Sequence, residues 1–388
     1  VKIKRTTSLA DLRESDKPEL VMSPAVVKLA ESIDWETCSF RAVRTMATKN
    51  YRKLGEAQPT QAFGQLLRAG IQSIANNWYD RTEVNWPQYV QEVSSDKRQE
   101  FYAPLFGAQL PTRTGRGEPY SENRLEGVDR ELINYKYMGG ESFERELFDD
   151  DQTGQIRQRA SQLGQAMKVL EEVYVAGRLR GTAATIAGVS IPASTFSTVN
   201  AAGTAITVPF STTLYDGSSG NRPSAYAQLS VPALKTGYET LLNALDPLGV
   251  KVLTNPDTLV VSPFDDINAA QFLNSAYYPG VPGLGGENAG SASSGFASGA
   301  FSVNPVKGLL NPKTNRYLPQ GAWYIGESKK GMIFQRRDPV EIVQEQPQSG
   351  QSFDLDVIRF RSRTRWEVDW VDSRFWYQGN DGTASVTQ

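Results

Sequence analysis

Phe353–Gly379, FDLDVIRFRSRTRWEVDWVDSRFWYQG, is the stretch on which the reading of this chain turns. From Arg359 to Arg365 an arginine stands at every second position. A strand turns successive side chains to opposite faces. Arg359, Arg361, Arg363 and Arg365 therefore share one face, and Ile358, Phe360 and Trp366 take the other. Acidic residues flank the stripe at Asp354, Asp356, Glu367 and Asp369. The apolar positions are odd through Phe353, Leu355 and Val357 and even from Ile358 onward, which predicts a one-residue bulge between them. Upstream, Gly321–Ser328 (GAWYIGES) and Lys329–Gln346 (KKGMIFQRRDPVEIVQEQ) also read as strands. The chain thus closes on a run of strands with little helix signal.

Before this run lies a long helical pattern. Ile156, Ala160, Leu163, Met167, Leu170 and Tyr174 step by four and three, which predicts a helix over 152–178, about 40 Å long. Gly177 is placed to cap its C-terminus. Residues 100–148 are different. Their first part is turn-rich, and Arg130–Phe148 (RELINYKYMGGESFERELF) is strand-like but interrupted at Gly139–Gly140. A long hairpin with little to pack on in its own chain is expected there.

Phe63, Leu66, Leu67, Ile71, Ile74 and Trp78 predict a helix over 60–79, starting at Pro59–Thr60. Residues 1–55 read as an irregular arm with a short helix near Pro24–Ile33. Residues 181–324 are poor in charge and rich in small residues, as a middle domain set between two halves of another would be. Within them are short strands, a helix over 231–245, a strand at Asp257–Pro263, a helix at Phe264–Ser275 and a glycine-rich loop at 279–304.

Composition narrows the chemistry. A chain of 388 residues holds two or three cores. Net charge is −2 and the pI about 5.6, so no global basic field grips nucleic acid. Histidine is absent, which removes the commonest general base and metal ligand. The single cysteine, Cys38, allows neither an intrachain disulfide nor a cysteine zinc cage. No apolar run reaches bilayer-spanning length, and no membrane partner is expected. The composition suits a soluble protein of a reducing cytoplasm.

No catalytic, cofactor or metal site is expected. The glycine-rich loop lacks the Gly-Lys-Ser/Thr ending that organises backbone amides around phosphate. The carboxylates Glu141, Glu144, Glu146, Asp149, Asp150 and Asp151 lack the spacing of a calcium loop. They read as a solvated hinge or as one half of an ionic contact between subunits. The arginine stripe is open to three readings: a plain exposed face, a partner for a neighbour's carboxylates, or a face toward nucleic acid.

The order of these elements resembles the major capsid protein of tailed bacteriophages, with the Hong Kong 97 coat fold. The matching stretches are Arg130–Asp151 leading into Gln155–Gly177, then Pro256–Ser275, Leu318–Val343 and Phe353–Gly379. The resemblance covers most of the chain from about 60 to 380 and rests on element order.

It implies an α+β capsid fold with an N-terminal arm (1–59) and a helical segment leading into the peripheral domain (60–99). An extended loop (100–150) and the peripheral spine helix with a β-rich segment (151–228) come next. An axial domain (229–322) and returning peripheral strands with the tail (323–388) complete it. The implied function is a head protein whose hexamers and pentamers form an icosahedral shell around double-stranded DNA. The implied partners are other copies of the chain, weakly held DNA, and a decoration, portal or scaffolding protein. The implied location is the virion, assembled in the host cytoplasm.

Contacts between copies would then draw on Lys136, Glu141, Glu144, Glu146, Asp149, Asp150 and the four stripe arginines. Some family members cross-link a loop lysine to an asparagine of a neighbour; Lys136 and Asn380 match in residue type, and position alone does not support the bond. An encapsulin-like compartment shares the fold and stays open as an alternative, as does a β-rich carboxylate-dependent hydrolase.

Overall fold

The computed structural model describes Ala30, Ile33 and residues 40–50, 59–102, 130–144, 155–194, 198–199, 205–206, 208–213, 220–246, 250–276, 304–344 and 357–382. Helices α1 (Phe40–Asn50) and α2 (Pro59–Arg81) come first. Strands β1 (Gln91–Ser94), β2 (Gln99–Tyr102), β3 (Arg130–Ile133) and β4 (Tyr135–Glu144) follow. Helix α3 is Gln155–Arg180. Four short strands come next: β5 (Ala184–Ile186), β6 (Val189–Ile191), β7 (Thr198–Val199) and β8 (Ala205–Ile206). Then come α4 (Val231–Leu242), β9 (Thr258–Val261), α5 (Asp266–Asn274) and β10 (Asn311–Thr314). The last elements are β11 (Trp323–Gly326), β12 (Met332–Gln344), β13 (Val357–Trp370) and β14 (Trp376–Asn380). The fold is a mixture of helix and sheet, as the α+β reading requires.

The chain divides into two compact units. The first holds Val1–Val84, Asn134–Glu171 and Arg336–Trp366, and the second Asn85–Ile133, Glu172–Gln335 and Glu367–Gln388. Three elements, α3, β12 and β13, run from one into the other.

In the first unit β13 lies between β12 and β4. The β13–β4 register runs antiparallel without a shift from Val357↔Glu144 to Trp366↔Tyr135. No bulge falls in that span, and Phe353 and Leu355 lie outside the described residues. Residues 135–144 are therefore not an unpacked hairpin arm. Gly139–Gly140 does not break the strand either. It admits close approach: a Cβ on Gly139 would stand 3.1 Å from Ser362 Oγ and 3.7 Å from Leu163, and one on Gly140 3.3 Å from the Phe360 carbonyl. Tyr137 stacks on Trp366 at 4.1 Å between centroids.

Helices cover the face of this sheet that carries Phe360 and Trp366. Leu66, Ile71 and Ile74 of α2 are buried, as are Ala160, Leu163 and Met167 of α3. Gly164 sits against the backbone of Ala75, where any larger residue would hold α2 and α3 apart. The Gln72 side-chain amide donates to the Ile342 carbonyl, tying α2 to β12. Helix α1, unforeseen from the mixed charge of 1–55, buries Val43 and Ala47 and packs on α2.

In the second unit β10, β9, β11 and β14 form a sheet in that order, parallel at β10–β9 and antiparallel elsewhere. Leu234 and Leu241 of α4 and Ala269 and Leu273 of α5 pack with Leu259, Val261, Trp323, Ile325 and Tyr377. Ser230 caps α4, its hydroxyl accepting from the Ala233 amide at 3.3 Å. Strands β2 and β3 pair from Gln99↔Ile133 to Tyr102↔Arg130. Residues 103–129, most of the expected extended loop, lie outside the described residues, as do 277–303 in the glycine-rich stretch.

Helix α3 differs from the one-stripe expectation in its last turns. From Glu171 to Leu179 every residue but Tyr174 is buried. Gly177 is not the cap: a Cβ there would run into Ile191. The helix ends at Gly181, whose φ of +75 is the left-handed conformation that favours glycine and whose amide donates to the Arg178 carbonyl at 3.1 Å.

Candidate functional site

The residues singled out by sequence fall mainly on one sheet face of the first unit. Paired residues on neighbouring strands share a face. The register therefore sets Arg359, Arg361, Arg363 and Arg365 beside Ser142, Gly140, Met138 and Lys136. The alternate positions Phe360, Ser362, Thr364 and Trp366 are buried, and the arginines are half-buried or exposed. Asp338 of β12 meets two of them, at 3.7 Å from Arg363 Nη2 and 3.8 Å from Arg365 Nε. Asp338 and Arg363 are each about 40% exposed, so water screens the pair and it contributes little to stability. Lys136 stands directly opposite Arg365, like charge beside like charge. Such a face is more stable with an anion on it.

The acidic candidates do not lie on this face as a group. Glu141 pairs with Phe360, putting it on the helix-covered face, and meets Arg159 of α3 at 3.5 Å. Glu144 pairs in register with Val357 at the end of β4. Glu146, Asp149 and Asp150 lie outside the described residues. Asn380 is fully buried in β14.

Among the described residues the buried charge clusters around Glu171, Arg178 and Arg374 were not foreseen. In the first unit Glu171 is fully buried. It accepts from Tyr79 Oη at 2.7 Å and from Arg336 Nη1 at 2.9 Å, with Lys168 Nζ at 3.2 Å. Burial alone raises a carboxyl, but Arg336 and Lys168 outweigh it and hold Glu171 below the ordinary range. Burial and the Glu171 charge push the Tyr79 phenol well up.

In the second unit Arg178, Glu367 and Asp369 are buried together. Arg178 Nη2 donates to Glu367 at 2.7 Å, and its Nη1 lies 3.8 Å from Asp369. The same Nη1 donates to the Pro192 and Ala193 carbonyls at 3.0 and 2.8 Å. Ser194 bonds to Asp369, and the Trp370 indole donates to the Arg178 carbonyl at 2.6 Å. Burial, with Asp369 sharing the one guanidinium, pushes Glu367 up to about 7. Strict alternation would have put Glu367 and Asp369 outside; instead both faces of this end of β13 are covered.

Among the described residues no group of three or more His, Cys, Asp or Glu side chains could hold a metal ion, and no helix is long and apolar enough to cross a membrane.

The family described as phage capsid protein matches this chain over residues 135–379, from β4 to β14. That is more than half of the chain, and the chain belongs to this family. It is a major capsid protein, a structural subunit that self-assembles into a phage shell, and its place is the virion. Comparison with the curated proteins returns no match. Among solved structures the chain is similar to one from Mycobacterium phage Cain, at 16% identity, covering 72% of this chain and 81% of that one, with a TM-score of 0.42. It is also similar to the mature capsid of bacteriophage PhiM1, at 11% identity, 76% and 86% coverage and a TM-score of 0.45. A third likeness is to the capsid of a native GTA particle, at 12% identity, 77% and 91% coverage and a TM-score of 0.43.

Proposed function

We propose that this subunit has the Hong Kong 97 coat fold and builds hexamers and pentamers that close into an icosahedral shell around double-stranded DNA. Here α3 serves as the spine helix, residues 1–59 as the arm, the part of 100–150 that precedes β4 as the extended loop, and 229–322 as the axial domain. The family match over 135–379 carries this reading, since it spans the spine helix, the strands from β4 to β14 and parts of both units. Heterologous contacts that close make rings, and contacts between rings make a shell.

The arginine face takes carboxylates of a neighbouring copy. Arginine forms bidentate pairs with carboxylates, and four arginines and Lys136 share this face, with Asp338 beside Arg363 and Arg365. The acidic run from Glu141 through Glu144, Glu146, Asp149 and Asp150 supplies matching charge on the same polypeptide. Scaffolding, portal and decoration proteins are the further partners, DNA is held weakly, and assembly takes place in the host cytoplasm.

The test is to purify particles and treat them with nuclease before and after opening. Protected DNA inside closed particles with five- and six-fold capsomers is expected. Particles filled with enzyme cargo and no DNA would identify a compartment shell instead. Replacing residues 104–128 by a short linker, which keeps the β2–β3 ladder, should leave folded subunits that do not assemble; normal shells would remove the bridging role of the loop.

A further inference from the structure

We propose that Arg178, Glu367 and Asp369 form a proton-binding switch, in which uptake of one proton by Glu367 tightens the hold on the 192–194 turn. Nothing in shell building as such requires this cluster to titrate, so the inference goes beyond the proposed function.

All three side chains are about 5% exposed or less. Two buried carboxylates share one guanidinium, so with both ionised two like charges stand side by side out of water, and a proton on Glu367 removes that repulsion. The charged groups facing Glu367 are Arg178 from α3 and Asp369 from its own strand. The Pro192–Ser194 turn and the adjoining Met332–Gln335 stretch of β12 carry no ionisable side chain. A buried unbalanced carboxylate is relieved either by a proton or by admitting water.

The part placed to admit water is the 192–194 turn. Its carbonyls are held by Arg178 and its serine by Asp369. The burial that raises Glu367 to about 7 puts the change in the neutral range. Below it Glu367 is protonated and does not repel Asp369, and the turn is held. Above it, local opening relieves the repulsion between the two carboxylates.

Amide hydrogen exchange at Ala193 and Ser194 in the full chain reads this opening, once corrected for the intrinsic pH dependence of exchange. The Ser194 amide is a suitable probe, since it donates to the Gly181 carbonyl at 3.2 Å. Protection is expected to fall on the order of tenfold from about pH 5.5 to about pH 8, and to be flat over that range in Glu367→Gln. No fall in the unmodified chain, or the same fall in both, overturns the proposal. Should Glu367→Gln fail to fold, a carboxyl carbon NMR titration of Glu367 in the unmodified chain decides. A midpoint in the neutral range upholds it, and one in the ordinary carboxylate range overturns it. Asp369→Asn, which leaves the guanidinium to Glu367, should move that midpoint down; an unmoved midpoint overturns the shared-guanidinium account.

Discussion

Glu171 and Glu367 are both buried carboxylates bonded to an arginine, yet they titrate in opposite directions. Glu171 faces two cations, Arg336 and Lys168, with the Tyr79 hydroxyl, and is held low. Glu367 shares Arg178 with Asp369 and is pushed up to about 7. Burial is nearly equal at the two sites. The number of cations per carboxylate, more than depth, decides which buried acid stays charged.

The strongest way to break this comparison is to remove a cation. Arg336→Ala takes the hydrogen-bonded cation from buried Glu171 and leaves it Lys168 alone, and should cost about 3 kcal/mol in denaturant unfolding of the subunit. A loss under about 1 kcal/mol would mean water already reaches Glu171. Next come the opposed pH slopes. Glu367 has a raised folded value, so its contribution is fully present below the unfolded value near 4.5 and is lost as pH rises through about 7, on the order of 3 kcal/mol. Glu171 has a lowered folded value, so its contribution is present above the same unfolded value and is lost as pH falls through the folded one. Unfolding free energy against pH should lose its decline between about 5 and 7 in Glu367→Gln and keep it in Glu171→Gln. The reverse pattern would exchange the two assignments.

Smaller effects separate the two ends of α3. Gly164→Ala meets the Ala75 backbone, which cannot yield without moving a helix, whereas Gly177→Ala meets the Ile191 side chain, whose Cδ1 can move though its Cβ at 3.1 Å cannot. Both should destabilise by about 1–3 kcal/mol, Gly164→Ala the more. The smallest effect is on the arginine face. Arg361→Glu with Arg363→Glu should change subunit stability by no more than about 1 kcal/mol, and yet weaken particles in a salt-dependent manner. Particles of unaltered stability would make the stripe a plain solvated face.

Much of this architecture was legible where one face is apolar. The periodicities of α2, α3 and α4 place those helices to within a few residues, and the odd-even alternation of β13 separates its arginines from Phe360 and Trp366. What was not legible depends on partners distant in sequence. Gly139–Gly140 reads as a break until Leu163 and the Phe360 carbonyl are seen pressing against it. Glu367 and Asp369 alternate like surface residues, and only Arg178, far back in the chain, makes their burial possible. Asp338 was invisible as a companion of the stripe for the same reason. Helix α1 was hidden because Val43 and Ala47, which it buries, stand among charged neighbours.

Negative-stain electron microscopy of the purified chain tests the central claim most directly, that copies of this subunit close upon one another. Closed shells tens of nanometres across, alone or with a scaffold, are the predicted result. Single subunits at every concentration, with a scaffold present as well, would contradict it.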